Sequence, residues 1–122
     1  MLNNIGIKMK KEEKIAKWES QVKKGMLDFI ILSFLSEQEF YGYELIKKIK
    51  EITRINITEG TIYPLLNRLK RDQFITSKWV EMETGMPRKY YTITQSGREI
   101  LRGMTDGWGK ITDSINQLLE EK

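Results

Sequence analysis

Apolar residues recur along the chain at two different periods, and those periods mark out its elements. Ile62, Leu65, Leu66 and Leu69 fall three and four apart, which on a helix makes one apolar stripe and leaves Thr61, Tyr63, Pro64, Asn67, Arg68 and Arg71 on the other side. Thr58 stands at the N-cap position, where a side-chain oxygen can accept from a first-turn N–H. Upstream, Phe40-Tyr41-Gly42-Tyr43 reads as a tight turn into a short amphipathic helix, with Leu45, Ile46, Ile49 and Ile52 inside and Lys47, Lys48 and Lys50 outside. Further back, the stretch 22–35 is apolar nearly all round in its second half, the pattern of one buried central helix. Residues 1–8 lack a period, and Asn3, Asn4 and Gly6 predict a frayed start. From Met9 the pattern turns helical and strongly charged, with Ile15, Trp18 and Val22 as a narrow stripe.

Beyond residue 73 the period changes. The run 74–83 is rich in β-formers, Thr84-Gly85-Met86-Pro87 is turn-like, and 88–93 is β-rich again, so a two-stranded hairpin is predicted. Trp79, Tyr90 and Tyr91 lie in it, and cross-strand packing accounts for at least two of them. From Thr94, itself a candidate cap, Leu101, Met104, Trp108, Ile111, Ile115 and Leu118 step by three and four along a long helix. That seam is narrower than a helix buried in its own globule shows, and it asks for an opposing helix from a second copy.

Composition excludes more than it identifies. The chain has 122 residues, a single-domain length, with no cysteine and no histidine. Disulfides, zinc sites, thiol nucleophiles and the usual general base are thereby removed. There is no glycine-rich phosphate loop, no Gly-x-Ser-x-Gly elbow and no carboxylate pair among apolar residues, so neither an enzyme nor a cofactor is expected. No apolar run reaches the roughly 18 residues of a membrane span, and none has the form of a secretory signal, so the cytoplasm is the expected compartment. The net charge of +4 is unevenly spread, with +4 in residues 1–25 and +2 in 58–92. The first of these regions is either a solvated helix or a basic arm that touches a polyanion surface.

Charge and periodicity together give the helix of residues 58–72 its chemistry. Its polar side carries cations that pair with phosphates, an amide able to bond a base edge in two places and an aromatic ring, and no acid lies between Glu59 and Asp72. Helix, short connection and capped second helix is the order of a helix-turn-helix, and a hairpin after it, with Arg88 and Lys89 beside its tip, is the order of a winged helix. Helical hairpins with outward lysines also occur without nucleic acid, and Arg88 and Lys89 also suit a merely solubilising tip.

Four blocks in one order make the pattern specific: Gly25-Met26-Leu27; Tyr41-Gly42-Tyr43; Glu59-Gly60-Thr61-Ile62-Tyr63-Pro64-Leu65-Leu66; and Pro87-Arg88-Lys89-Tyr90-Tyr91-Thr92-Ile93-Thr94 with Gly97. In these the chain resembles the PadR family of winged-helix transcriptional regulators. The resemblance implies a mainly α fold, a winged helix-turn-helix with a two-stranded β wing and a long C-terminal dimerisation helix. It implies a DNA-binding domain over 20–93 and the dimerisation helix over 94–122, while residues 1–19, longer and more basic than the family pattern requires, are expected from their own charge and period to be a helical basic arm. It further implies a homodimer that binds an inverted-repeat operator in double-stranded DNA, usually as a repressor. By position in the blocks, Thr61, Tyr63, Asn67 and Arg68 fall on the reading helix, Tyr43 on the supporting helix, and Arg88 and Lys89 on the wing. Phosphate contacts are then expected from Lys70, Arg71, Arg88 and Lys89, and base-edge contacts from Asn67 or Arg68.

Gly103, Gly107 and Gly109 crowd around Trp108 in the last helix, where each exposed glycine costs about 1 kcal/mol relative to alanine. Two readings stay open. Trp108 is a plain seam residue that anchors the dimer, or Trp108, Met104 and Ile111 border a pocket for a flat hydrophobic small-molecule effector, as in some PadR-like regulators. A winged helix used only for protein interaction is the rival to a DNA-binding role.

Overall fold

A computed structural model describes residues 2–121, with side chains from Lys10 onward; Met1 and Lys122, the outermost residues of the arm and of the last helix, lie outside it. Five helices and three short strands follow in the order α1 (Leu2–Gly25), α2 (Leu27–Leu35), β1 (Phe40–Tyr41), α3 (Gly42–Thr53), α4 (Glu59–Arg71), β2 (Ile75–Val80), β3 (Arg88–Ile93) and α5 (Gln95–Glu120). The mainly α, winged-helix architecture is the expected one.

The core is the meeting of three apolar helix faces with one face of the sheet. Ile31, Leu32 and Leu35 of α2, Leu45 and Ile49 of α3, and Ile62, Leu66 and Leu69 of α4 are buried together with Ile75 and Tyr91. Burying each such aliphatic side chain stabilises the fold by roughly 1.5–3 kcal/mol, so the helix-turn-helix is held chiefly by its own stripe residues.

Four local features depart from the sequence reading. Helix begins at Leu2, where a frayed start was expected. The single helix expected over 22–35 is broken once: α1 ends at Gly25, Met26 donates to the Lys23 carbonyl three residues back at 3.1 Å, and α2 starts at Leu27. The wing hairpin gains a third strand, since β1 pairs with β3 through Phe40↔Tyr91 and Tyr41↔Tyr90 to give the order β1-β3-β2. Two residues are too few to show a period of two, and their partner lies some fifty positions away, so this strand reads locally as a turn. Thr58 is the N-cap residue of α4, yet its hydroxyl donates to Thr61 Oγ1 at 3.3 Å and caps no backbone N–H; the Thr58 carbonyl takes up the Thr61 and Ile62 amides.

Pro64 sits inside α4 without interrupting it. The missing N–H would have met the carbonyl of Gly60, an exposed residue, so no buried acceptor is orphaned. At the other end of the domain Thr94 caps α5 as expected, accepting from the Gly97 amide at 3.0 Å. Thr94 also ties α5 to the residues before β2: its amide donates to the Phe74 carbonyl at 3.0 Å and its hydroxyl to the Gln73 carbonyl at 2.7 Å. Gly97 allows this approach, since a Cβ there would overlap the Phe74 carbonyl oxygen and lie 2.7 Å from Ile93 Cγ1.

The first half of α5 lies on α2, with Leu101 and Met104 against the core. Its second half leaves the domain: Trp108 is 42% exposed, and Ile111, Ile115 and Leu118 more so. The six seam positions therefore divide, two packed on their own chain and four open to solvent. On α1, Ile15, Trp18 and Val22 are likewise uncovered, Trp18 by 62%. Among the described residues no helix is long and apolar enough to cross a membrane, and no cluster of potential metal ligands occurs.

Candidate nucleic-acid interface

On α4 the buried residues Ile62, Leu66 and Leu69 fix which residues flank them. One flank carries Tyr63 and Asn67, which border a concave cleft of about 500 Å³ between α4 and the wing. Arg88 and Lys89 of β3 form the other wall with Trp79 of β2, and Tyr41, Gly42 and Tyr91 form its floor. Four of the sequence-predicted residues are thus brought into one cleft: Tyr63, Asn67, Arg88 and Lys89. Tyr41, Gly42 and Trp79 were missed as members, although Tyr41-Gly42-Tyr43 stood out as a motif.

The cleft is built on close aromatic packing. A Cβ on Gly42 would sit 2.6 Å from the Tyr63 hydroxyl and 2.8 Å from Tyr63 Cζ, so the ring fills the space a side chain would need. That contact fixes α4 against the start of α3, and the Tyr41 amide in turn donates to Glu44 Oε1 at 3.4 Å. The wing cations stand over rings, Arg88 at 4.5 Å from the Tyr41 centroid and Lys89 at 5.8 Å from Trp79 and 5.9 Å from Tyr91. Each such contact orients a cation without neutralising it. Of the three hairpin aromatics, Tyr91 is buried, Tyr90 packs edge-on against Tyr41 at 5.4 Å, and Trp79 remains 69% exposed. Cross-strand packing thus accounts for two of the three.

Burial, and secondarily the Glu59 carboxylate, raises the Tyr63 phenol above its ordinary value; burial, and then Tyr63, does the same for Tyr91. Both hydroxyls stay neutral and able to donate at physiological pH.

The remaining predicted residues are placed elsewhere. Lys70 and Arg71 are exposed in the last turn of α4. Tyr43 is 54% exposed in the first turn of α3, with Lys47 Nζ 5.8 Å from its ring centroid. Thr61 lies on the opposite flank of α4 from Tyr63 and faces the turn of the helix-turn-helix. Arg68 is engaged within the fold: its Nη2 donates at 2.6 Å to each carboxylate oxygen of Asp28 on α2, forty residues away in sequence. Met104, Trp108 and Ile111 line a shallow cleft of about 380 Å³ with Phe29, Gly107 and Asp28.

The model of the PadR-like family of transcriptional regulators matches residues 31–103. The chain belongs to that family. Its members are DNA-binding transcriptional regulators and not enzymes. A PadR family regulator from Eggerthella lenta superposes with a TM-score of 0.84 at 32% identity, covering 93% of this chain and 99% of that one. A PadR-like regulator from Bacillus cereus gives 0.74 at 38% identity, covering 81% and 96%. An uncharacterised protein of Lysinibacillus sphaericus is 32% identical over 83% of this chain and 94% of its own length. The negative transcriptional regulator PadR of Bacillus subtilis is 32% identical over 62% of this chain, a match that spans 43% of that regulator.

Proposed function

We propose that the protein is a homodimeric repressor in the cytoplasm, that each subunit sets α4 in the major groove of an inverted-repeat operator, and that a flat hydrophobic effector relieves repression. The observation that carries this reading is the helix–wing cleft, which Asn67 of α4 and Arg88 and Lys89 of the wing line together. In it Asn67 reads a base edge, Tyr63 and Tyr43 hold the register, and Lys70, Arg71, Arg88 and Lys89 meet phosphates. Arg68 holds α4 to α2 through Asp28, which leaves base reading to Asn67.

Dimerisation is supported by the apolar residues that one chain leaves in water, Trp108, Ile111, Ile115 and Leu118 on α5 with Ile15, Trp18 and Val22 on α1. A second copy that covers them would set two α4 helices about one DNA turn apart, near 34 Å. The effector is supported by the cleft at Trp108, whose lining includes one indole, one phenyl ring and two methionines, together with Asp28.

A mobility shift with a duplex from upstream of the protein's own coding sequence, repeated at rising salt, tests the reading. Asn67→Ala is expected to weaken the specific complex by about 1–3 kcal/mol and to spare random DNA, whereas Lys89→Ala weakens both and lowers the salt slope. Equal losses for Asn67→Ala on the two duplexes would remove its reading role. No shift at low salt would favour a protein-interaction module instead.

A further inference from the structure

The flank of α4 that faces away from the wing borders a second cleft, of about 310 Å³, between the last turn of α1 and the connection from α3 to α4. Lys23 and Lys24 reach it from α1, Arg54 from the connection, and Thr58 and Thr61 from the start of α4. No acid lines it, and among the described residues none of its three cations is ion-paired; Asp28, close by in sequence, is held by Arg68. Three cations and the three hydroxyl residues Ser20, Thr58 and Thr61 around one acid-free space fit an anion.

Arg54 adds an independent sign. It closes α3 at φ 63°, its amide donating to the Lys50 carbonyl at 2.9 Å. Glycine suits that position, because a side chain at positive φ crowds its own backbone. Arg54 thus holds its cation at the cleft from a backbone position that costs a side chain some strain, as Gln73 does at φ 66° elsewhere in the chain.

The cleft's position names the anion. A helix with its side chains is about 10–12 Å across, close to the roughly 12 Å width of the major groove, whose walls are two rows of phosphates. Thr61 and Tyr63 leave α4 on either side of buried Ile62, about 200° apart around the axis. The helix–wing cleft therefore lies on one flank and the basic cleft on the other. We propose that Lys23, Lys24 and Arg54 hold a backbone phosphate on the strand opposite the one met by the wing, which makes the last turn of α1 part of the DNA-binding surface. The inference rests on α4 entering the major groove, as proposed above.

Salt dependence on a random-sequence duplex tests it without knowledge of the operator. Each phosphate contact contributes about 0.9 to the slope of log K against log salt. Arg54→Gly is expected to lower the slope by about that amount per subunit, about 1.8 for the homodimer, so that from about 50 to 200 mM salt the wild type loses about 12-fold more affinity than the variant. Lys23→Gln with Lys24→Gln is expected to lower it also, and Arg54→Lys to restore it. The melting temperature of Arg54→Gly should equal or exceed that of the wild type, which separates lost binding from lost folding; should it fall, the lysine pair carries the test. Wild-type slopes in both variants overturn the inference and leave the major-groove reading standing. A wild type that binds no duplex at low salt overturns that reading itself.

Discussion

Replacing Gly97 with alanine asks how firmly α5 is seated on the winged domain. In a helix this change is ordinarily stabilising by up to about 1 kcal/mol. Here the new Cβ would overlap the Phe74 carbonyl oxygen, with Ile93 Cγ1 at 2.7 Å and the Phe74 carbonyl carbon at 3.0 Å, where ordinary contact begins at 3.4 Å. The nearest neighbour is backbone, so relief requires the start of α5 to retreat from the residues before β2. That retreat strains the Thr94–Phe74 and Thr94–Gln73 hydrogen bonds, each worth about 1 kcal/mol, on top of an overpacking cost of about 1–3 kcal/mol. After subtraction of the helix gain, a net loss of about 2–4 kcal/mol is expected. Urea unfolding followed by far-ultraviolet circular dichroism measures it, with Gly103→Ala as the control. Gly103 has no atom within 4 Å of its notional Cβ, so alanine there should stabilise the chain or leave it unchanged. Equal midpoints for Gly97→Ala and the wild type would show that the approach of α5 to Phe74 is not a constraint.

Three further outcomes follow from the same geometry. Trp108→Ala should weaken the dimer about 30-fold or more, the effect of truncating an interface anchor worth about 2 kcal/mol, and sedimentation across a dilution series reads it; an unchanged dissociation constant would leave α5 without its anchor role. Added aromatic cations should quench tryptophan emission in the wild type and less so in Trp108→Ala; equal quenching in the two would remove the effector cleft. Because Tyr63 and Tyr91 are held above their ordinary value of 10.0, the unfolded chain ionises first, so stability is intact below about pH 10 and falls as pH rises beyond it. Tyr63→Phe with Tyr91→Phe should flatten that alkaline decline in the urea midpoint, and an unflattened decline would assign it to other groups.

The legible parts of the fold were those whose signal is local and repeated. The stripe Ile62, Leu65, Leu66, Leu69 and the steps from Leu101 to Leu118 each recur over several turns, and α4 and α5 lie where they should. The strand pair of the wing is six residues long on each side and rich in β-formers, enough to show. β1 was hidden because two residues carry no period and its partners are Tyr90 and Tyr91. Within the candidate interface, residue type singles out Asn67, Arg88 and Lys89 as candidates, but the place of Arg68 depends on Asp28, which nothing in the local sequence announces. The Gly42–Tyr63 contact was invisible for the same reason, although the motif containing Gly42 was noticed. The left-handed backbone of Arg54 and its place beside Lys23 and Lys24 depend on the three-dimensional fold, which the local sequence does not encode.

Asp28 belongs to two neighbourhoods at once. Its carboxylate is the tether of Arg68 on α4, and the same residue lines the cleft that holds Trp108. Should the effector proposed above carry a positive charge, it and the guanidinium on α4 would compete for one anion. Such competition works in both directions, so DNA that favours the tethered position of α4 would expel the guest to the degree that the guest loosens α4. Asp28→Asn, which keeps the shape and removes the charge, should leave Trp108 able to stack while silencing the exchange.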